Sequence, residues 1–254
     1  MMTDSIAGLT AVVTGAGSGI GLEIARMFAA EGCRVVAADL DPSACDGIPG
    51  VRTVTADLGT PSGAALVAEA AADAGILVNN VAVAPYRESF AAIDDAAWQR
   101  TWDINVMSCV RLCRAVIPRM AARGGGSVVN IGSEGARHPK PYLVDYAVTK
   151  AALLVLAKAL SMEFGPAGVR VNTVAPGPTR TSTMETFLGS LSRDLGIDVD
   201  AAADHFVHTM RHLPLGRMNE PADVAAVVRF LAGPASRQVT GAEYTVNAGS
   251  TASV

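Results

Sequence analysis

The constraint that weighs most on this chain is an alternation of short, continuously apolar runs with amphipathic stretches of helical period. The first run, Thr10 to Gly15, reads TAVVTG: apolar, β-branched and ended by glycine. Such a run predicts a strand buried on both faces. Comparable strands are expected at Cys33–Asp39, Val51–Ala56, Ile76–Asn80, Ser127–Ile131 and Val169–Val174, and a last one at Glu243–Val246. The spacing between them predicts helices over about Ile20–Glu31, Ala64–Asp73, Trp98–Arg123, Tyr142–Phe164 and Ala222–Leu231. Gly124, Gly125 and Gly126 read as a helix stop. Strands buried on both faces need helices on each side, and parallel strands need crossovers long enough to hold one. The expected fold class is α/β, with a doubly wound parallel sheet.

No linker, internal repeat or charge block divides the 254 residues, so one domain over residues 1–254 is expected. Half the residues are hydrophobic and 17% are charged, enough apolar side chain for a large core. The net charge of −4, without a basic run, argues against nucleic acid or an anionic membrane as partner. No apolar stretch has the length of a membrane span, and Met1 to Leu9 lacks the pattern of a signal peptide. A cytoplasmic location is expected. Cys33, Cys45, Cys109 and Cys113 form no Cys-x-x-Cys pair and read as core fillers in a reducing compartment.

The first strand runs into Gly15-Ala16-Gly17-Ser18-Gly19-Ile20-Gly21, which opens a helix. Glycines there let the backbone approach a pyrophosphate, while free N–H groups and the helix dipole attract its charge. The spacing differs from the plain dinucleotide G-x-G-x-x-G, because Ile20 stands at the sixth position. A glycine-rich turn without a ligand is the bland alternative. Asp39 speaks against it. It ends the second expected strand, where a carboxylate accepts hydrogen bonds from a ribose 2′-hydroxyl and repels a 2′-phosphate. Ala16, Ser18 and Leu40 supply no base to hold that phosphate. NAD is the cofactor expected, in a Rossmann-type fold.

Tyr146 and Lys150 lie at i and i+4 of an expected helix, so phenol and ammonium share a face. Acid–base work near neutrality asks for a downward shift of roughly 3 units in a phenol's pKa, about 4 kcal/mol. A nearby cation favours that shift. Ser133 stands one short loop upstream.

Together these residues resemble the short-chain dehydrogenases/reductases over nearly the whole length. The elements are Thr14-Gly15-xxx-Gly19-x-Gly21, Asp57-Leu58, Asn79-Asn80, Asn105, Ser133, Tyr146-xxx-Lys150 and Pro176-Gly177-Pro178-Thr179-Arg180-Thr181. The resemblance implies that Tyr146 exchanges a proton with a carbonyl or alcohol oxygen. Ser133 would hydrogen-bond that oxygen. Lys150 would bind the nicotinamide ribose and lower the Tyr146 pKa, and Asn105 would hold a water that relays protons to Lys150. Asp57, with Leu58 beside it, would meet the adenine. Asn79 and its neighbours would pass along the adenosine ribose, Thr179 and Thr181 would reach the pyrophosphate or carboxamide, and Val174 to Gly177 would back the nicotinamide. The bland alternatives are a capping or surface role for Asn105, a loop serine at Ser133 and a helix cap at Thr181. The family commonly forms homotetramers through its two long helices, and the same is expected here.

Three departures from the family pattern stand out. Asn79-Asn80-Val81-Ala82 replaces Asn-Asn-Ala-Gly, the segment between Asp57 and Asn79 is short, and Val246-Asn247-Ala248-Gly249 departs from the usual Asp-Gly-Gly. A trimmed helix and a more open adenine pocket are expected.

Substrate contacts are expected from Ala84–Phe90, Glu134–Leu143 and the insertion Ser182–Leu213, read as a helical lid. Met184, Phe187, Leu188, Leu191, Phe206 and Met210 would line an apolar pocket or pack the lid onto the body. His205, His208 and His212 fall at i, i+3 and i+7, so one helix face could present all three. No carboxylate or cysteine pattern supports a metal there, and none is expected. Should Arg87, Arg137, His138 and Lys140 converge, a carboxylate or phosphate on the substrate would follow. The activity expected is NAD-dependent interconversion of a secondary alcohol and a ketone on a small, largely apolar molecule. The alternatives are NADPH-dependent ketoacyl reduction, which Asp39 opposes, and a non-catalytic NAD sensor, which has no use for a Ser133, Tyr146 and Lys150 set.

Overall fold

A computed structural model describes residues 5–251 of the chain. Seven parallel strands form one sheet in the order β3-β2-β1-β4-β5-β6-β7. They are β1 Thr10–Thr14, β2 Arg34–Asp39, β3 Val51–Thr55, β4 Ile76–Asn79, β5 Gly126–Ile131, β6 Val169–Pro176 and β7 Glu243–Val246. The chain winds outward from β1 to β3, then returns to place β4 on the other side of β1. That reversal opens a crevice at the carboxyl ends of β1 and β4, the usual ligand position in an open α/β sheet.

Period-two alternation sorts the strand residues onto two faces. Val12, Val36, Leu77, Val128 and Val171 join one core with Leu112, Val116, Ile117 and Leu153. Ala11, Val13, Val35, Ile76, Val78 and Val129 join the other with Ile24, Phe28, Val224 and Leu231. The helices covering these faces are α1 Gly19–Ala30, α2 Pro61–Ala70, α4 Ser108–Ala122, α5 Val144–Phe164 and α8 Pro221–Ala232; α3 Asp95–Trp102 precedes α4, and α6 Ser182–Leu195 and α7 Val199–His205 belong to the insertion. All four cysteines are buried and form no disulfide.

The expected helix from Trp98 to Arg123 is interrupted. A π-helical turn, Asp103–Met107, separates α3 from α4. The cause is tertiary. Asn105 is buried there, its Nδ2 donates to the Val83 carbonyl and to Thr149 Oγ1, and its Oδ1 accepts from the Val83 N–H. Those bonds draw the residue toward β4's exit loop and widen the helix. α2 covers ten residues and ends at Ala70, short as expected. α5 starts at Val144, after a 3₁₀ turn over Pro141–Leu143 that Pro141 opens.

Candidate active site

The turn after β1 is built from backbone contacts that only glycine permits. Gly15 has φ +64, and a Cβ on it would fall 2.7 Å from Asn80 Nδ2. A Cβ on Gly21 would lie 2.1 Å from the Gly15 carbonyl oxygen. Asn80 holds the turn from β4's end: its Nδ2 donates to the carbonyls of Thr14 at 2.9 Å and Gly15 at 3.0 Å. The N–H groups of Asn80 and Val81 donate to Thr14 Oγ1. Ser18 stands at the N-cap of α1 without a side-chain capping bond. The first-turn N–H groups of a helix are thereby left for an anion.

A cavity of about 350 Å³ extends from this turn, lined by Gly15, Ser18, Gly19, Ile20, Asp39, Leu40, Asp57, Leu58, Asn80 and Thr181 among others. Asp39 Oδ2 accepts from the Gly17 N–H at 2.8 Å, and its Oδ1 from the Asp41 N–H at 3.2 Å. One carboxylate thus stiffens the glycine turn and still faces the cavity. Gly17 and Gly21 shape the turn from behind. Asn79 does not reach the cavity. Its side chain is buried and donates to Asn130 Oδ1 at 2.9 Å, because β4's alternation turns it under the sheet. Asn80, one residue on, faces the cleft instead. Val81, Ala82 and Val83 carry the cleft wall onward. Ala82 keeps ordinary negative φ, so the missing glycine strains nothing at that point.

A second cavity of about 390 Å³ continues the first, sharing Ile20, Asn80, Ala82, Thr181 and Thr183 with it. Ser133, Tyr146, Lys150, Pro176, Gly177, Thr179, Met184, Phe187, Leu143, Glu134 and Arg211 line it. Tyr146 and Lys150 share a face of α5, with Nζ 5.5 Å from the phenol ring centroid. Lys150 is buried, and Nζ donates to the Ile131 carbonyl at 2.7 Å. Ser133 ends the segment after β5 and accepts from the Gly135 N–H. Thr181 caps α6, accepting from the Met184 N–H, and lines both cavities. Asn105 lies outside the lining, its amide committed to Val83 and Thr149.

The electrostatics differ from expectation. Desolvation raises the Tyr146 pKa above its ordinary value, although a hydrogen bond with Ser133 pulls it down. Burial also lowers the pKa of Lys150, to about 8. The protein alone does not depress the phenol, because desolvation and the nearby Glu134 carboxylate outweigh the Ser133 hydrogen bond.

The four basic residues do not converge on the cleft. Arg87 donates through Nε and Nη2 to Asp145, and Arg137 through Nε and Nη2 to Glu243. His138 and Lys140 lie outside the lining. The imidazoles do not share one helix face either: α7 gives way to a π turn at Phe206–Met210, and His212 follows it with φ +48. Within the insertion the apolar residues divide. Met184 and Phe187 face the cavity, Leu188 and Phe206 are buried in the insertion's own core with Leu191 against it, and Met210 is exposed. Glu134 and Arg211 fall inside two of the segments expected to supply substrate contacts, but no motif singles them out, since neither belongs to a short pattern.

Residues 15–251 match the family model described as Enoyl-(Acyl carrier protein) reductase, a model of the short-chain dehydrogenases/reductases. The chain belongs to the short-chain dehydrogenase/reductase family. Within that family it is 36% identical to galactitol 2-dehydrogenase (L-tagatose-forming) of Cereibacter sphaeroides, over 96% of this chain and 95% of that protein. It superposes on L-sorbose reductase from Gluconobacter frateurii, complexed with NADPH and L-sorbose, with a TM-score of 0.93 at 33% identity over 100% of both chains. It superposes on 7α-hydroxysteroid dehydrogenase, complexed with NADH and 7-oxo glycochenodeoxycholic acid, at a TM-score of 0.84 and 28% identity, covering 96% of this chain and 95% of that one. The short-chain dehydrogenase/reductase relatives act on alcohols and ketones, and this chain is an oxidoreductase of that kind. Among its described residues no helix is long and apolar enough to cross a membrane.

Proposed function

We propose that this oxidoreductase interconverts a secondary alcohol and a ketone with NAD(H), using Ser133, Tyr146 and Lys150. The observation that carries the reading is the seating of all three in one cavity that continues into the cavity beside the glycine turn. The residues fit a dinucleotide: a glycine turn that a Cβ would fill, an uncapped helix start and a carboxylate at the end of β2. Gly15, Ser18, Gly19 and Ile20 would hold the pyrophosphate, Asp39 the adenosine ribose, Asp57 and Leu58 the adenine. Lys150, Pro176, Gly177, Thr179 and Thr181 would hold the nicotinamide half. When bound, the dinucleotide gives or takes the hydride.

The protein's own part is proton handling. In reduction the Tyr146 hydroxyl donates its proton to the carbonyl oxygen, and the Ser133 hydroxyl donates a hydrogen bond to the same oxygen where charge develops. In oxidation both steps reverse. The elevated phenol pKa favours the protonated acid until a charge is brought beside it. Asn105 acts at one remove, fixing Val83 and Thr149 around the site. Asp39 supports NAD over NADP, since a 2′-phosphate there would face a carboxylate. Apolar walls from Leu143, Met184 and Phe187 support a small substrate with an apolar face.

A homotetramer is part of the proposal. Val148, Val155 and Met162 are 44, 72 and 71% exposed at seven-residue spacing along α5, an apolar stripe suited to a partner helix. Buried, unbridged cysteines support a cytoplasmic setting.

The test is nicotinamide absorbance over a panel of ketones and alcohols with NADH and NAD. Tyr146→Phe is expected to lose about 10²- to 10⁴-fold in kcat while still binding NADH. Cofactor binding without turnover of any panel member, in wild type, would instead favour a sensor.

A further inference from the structure

The substrate half of the cleft contains an ion pair that proton transfer does not use. Glu134 follows Ser133 directly, is only 8% exposed and lines the cavity. Its Oε1 accepts from Nη2 of Arg211, at the end of the lid insertion. Its Oε2 accepts from the Ser250 hydroxyl, on the segment after β7. Arg211 lines the same cavity, with its guanidinium 5.9 Å from the Phe206 ring centroid. Three separate segments therefore converge on one carboxylate beside the serine that meets the reacting oxygen.

The pair keeps hydrogen-bonding capacity in reserve. A guanidinium carries five N–H donors, and among the described residues only Nη2 of Arg211 is engaged. Each carboxylate oxygen of Glu134 has one partner and can accept another bond. The pair is neutral overall, so a charged substituent would meet one like charge as well as one opposite. A hydroxyl meets no such conflict, since it donates to the carboxylate and accepts from the guanidinium together. Leu143, Met184 and Phe187 offer such a group nothing, the Asn80 amide is committed to the glycine turn, and Lys150, Thr179 and Thr181 are assigned to the dinucleotide, so the pair is the charged partner left for a polar substituent. The Glu134 charge acts on the Tyr146 phenol, and both line one cavity with Ser133, which puts that substituent near the reacting carbon.

We propose that Glu134 and Arg211 are specificity-determining residues that select a substrate bearing a hydroxyl next to the reacting carbon, an α-hydroxy ketone in one direction and a vicinal diol in the other. The proposal rests on the alcohol/ketone reading above. It narrows the largely apolar substrate expected from sequence to one with a polar edge.

The test compares near-isosteric ketones with NADH: 2-hydroxycyclohexanone against 2-methylcyclohexanone, and 1-hydroxy-2-butanone against 3-pentanone. The quantity read is the ratio of kcat/KM within a pair. Wild type is expected to favour the hydroxy ketone at least tenfold, and Arg211→Met and Glu134→Gln should each shrink that ratio at least fivefold. A pair serving only to latch the lid would change both members alike and leave the ratio standing. The thermal midpoint and NADH fluorescence verify folding. Should Glu134→Gln not fold, Arg211→Met on the more exposed lid carries the comparison. A wild-type ratio near one, or a ratio that survives both substitutions, overturns the proposal while leaving the alcohol/ketone reading intact. Reduction of no ketone in either pair by NADH-bound enzyme defeats both.

Discussion

The ammonium of Lys150 donates to the carbonyl oxygen of Ile131 at 2.7 Å, tying the second turn of α5 to the end of β5 beside the Tyr146 ring. The bond explains how a lysine is tolerated in so dry a place, and burial still lowers its pKa to about 8. An unfolded lysine titrates near 10.5. Between those values the unfolded chain holds a proton that the fold has released, so stability rises with pH through that window. The opposing effect of Tyr146, whose pKa is raised, sets in only above its ordinary value of 10. Lys150→Met is therefore expected to be the more stable protein at pH 7.5, by a few kcal/mol at most, with the gap narrowing by pH 9.5. Urea unfolding of both proteins at the two pH values measures it. A gap that stays constant would mean that Lys150 does not titrate in this range.

Asp39 does two things that separate under substitution. Its charge faces the cavity, while its oxygens hold the N–H groups of Gly17 and Asp41. Asp39→Asn removes the charge and keeps one acceptor. The kcat/KM ratio of NADPH to NADH is expected to rise at least tenfold, with only a modest loss on NADH. An unchanged ratio would show that the 2′-position lies elsewhere.

Arg87 and Asp145 form an ion pair beneath the site, with Asp145 wholly buried beside Tyr146 in sequence. Burial alone would raise the Asp145 pKa. Hydrogen bonds from Arg87, Thr101 and the Tyr146 N–H outweigh it and hold the carboxyl below its ordinary value. Arg87→Ala leaves that carboxylate buried without its cation and is expected to cost about 3 kcal/mol. Because the depressed pKa contributes stability above the ordinary carboxylate pKa of 3.8, the wild-type advantage should shrink as pH falls through that value. Chemical denaturation from pH 7 to pH 3.5 follows it; equal stabilities at pH 7 would show the pair to be inert.

Ala248 has φ +54, in the left-handed region, at a position where the family usually has glycine. Left-handed backbone costs an L-residue about 1–2 kcal/mol, partly offset by the greater freedom glycine loses on folding and by the methyl's contact with the lid core. Ala248→Gly should stabilise by about 0.5–1 kcal/mol, raising Tm by roughly 2 °C. A lower Tm would show that the methyl contact outweighs the strain.

The alternation of strand and helix, the glycine turn and the sharing of a face by Tyr146 and Lys150 were legible because each depends on residues a few positions apart. Period two and period 3.6 set which side a residue faces, and a missing Cβ sets where backbone can approach backbone. That alternation also separates Asn79 from its neighbour: β4 turns Asn79 under the sheet and presents Asn80 to the cleft.

What local pattern could not contain are the polar commitments made across the fold. The π turn at Asp103–Met107 follows Asn105's bonds to Val83 and Thr149, and Arg87 and Arg137 are held by Asp145 and Glu243 rather than by the cleft. Glu134 meets Arg211 across 77 residues of chain. A charged side chain takes the partner that spares it most desolvation, and that partner exists only once the sheet, the lid and the C-terminal segment have come together. Sequence alone determined the fold and which side chains share a helix face; tertiary structure decided which charges were left facing the cleft.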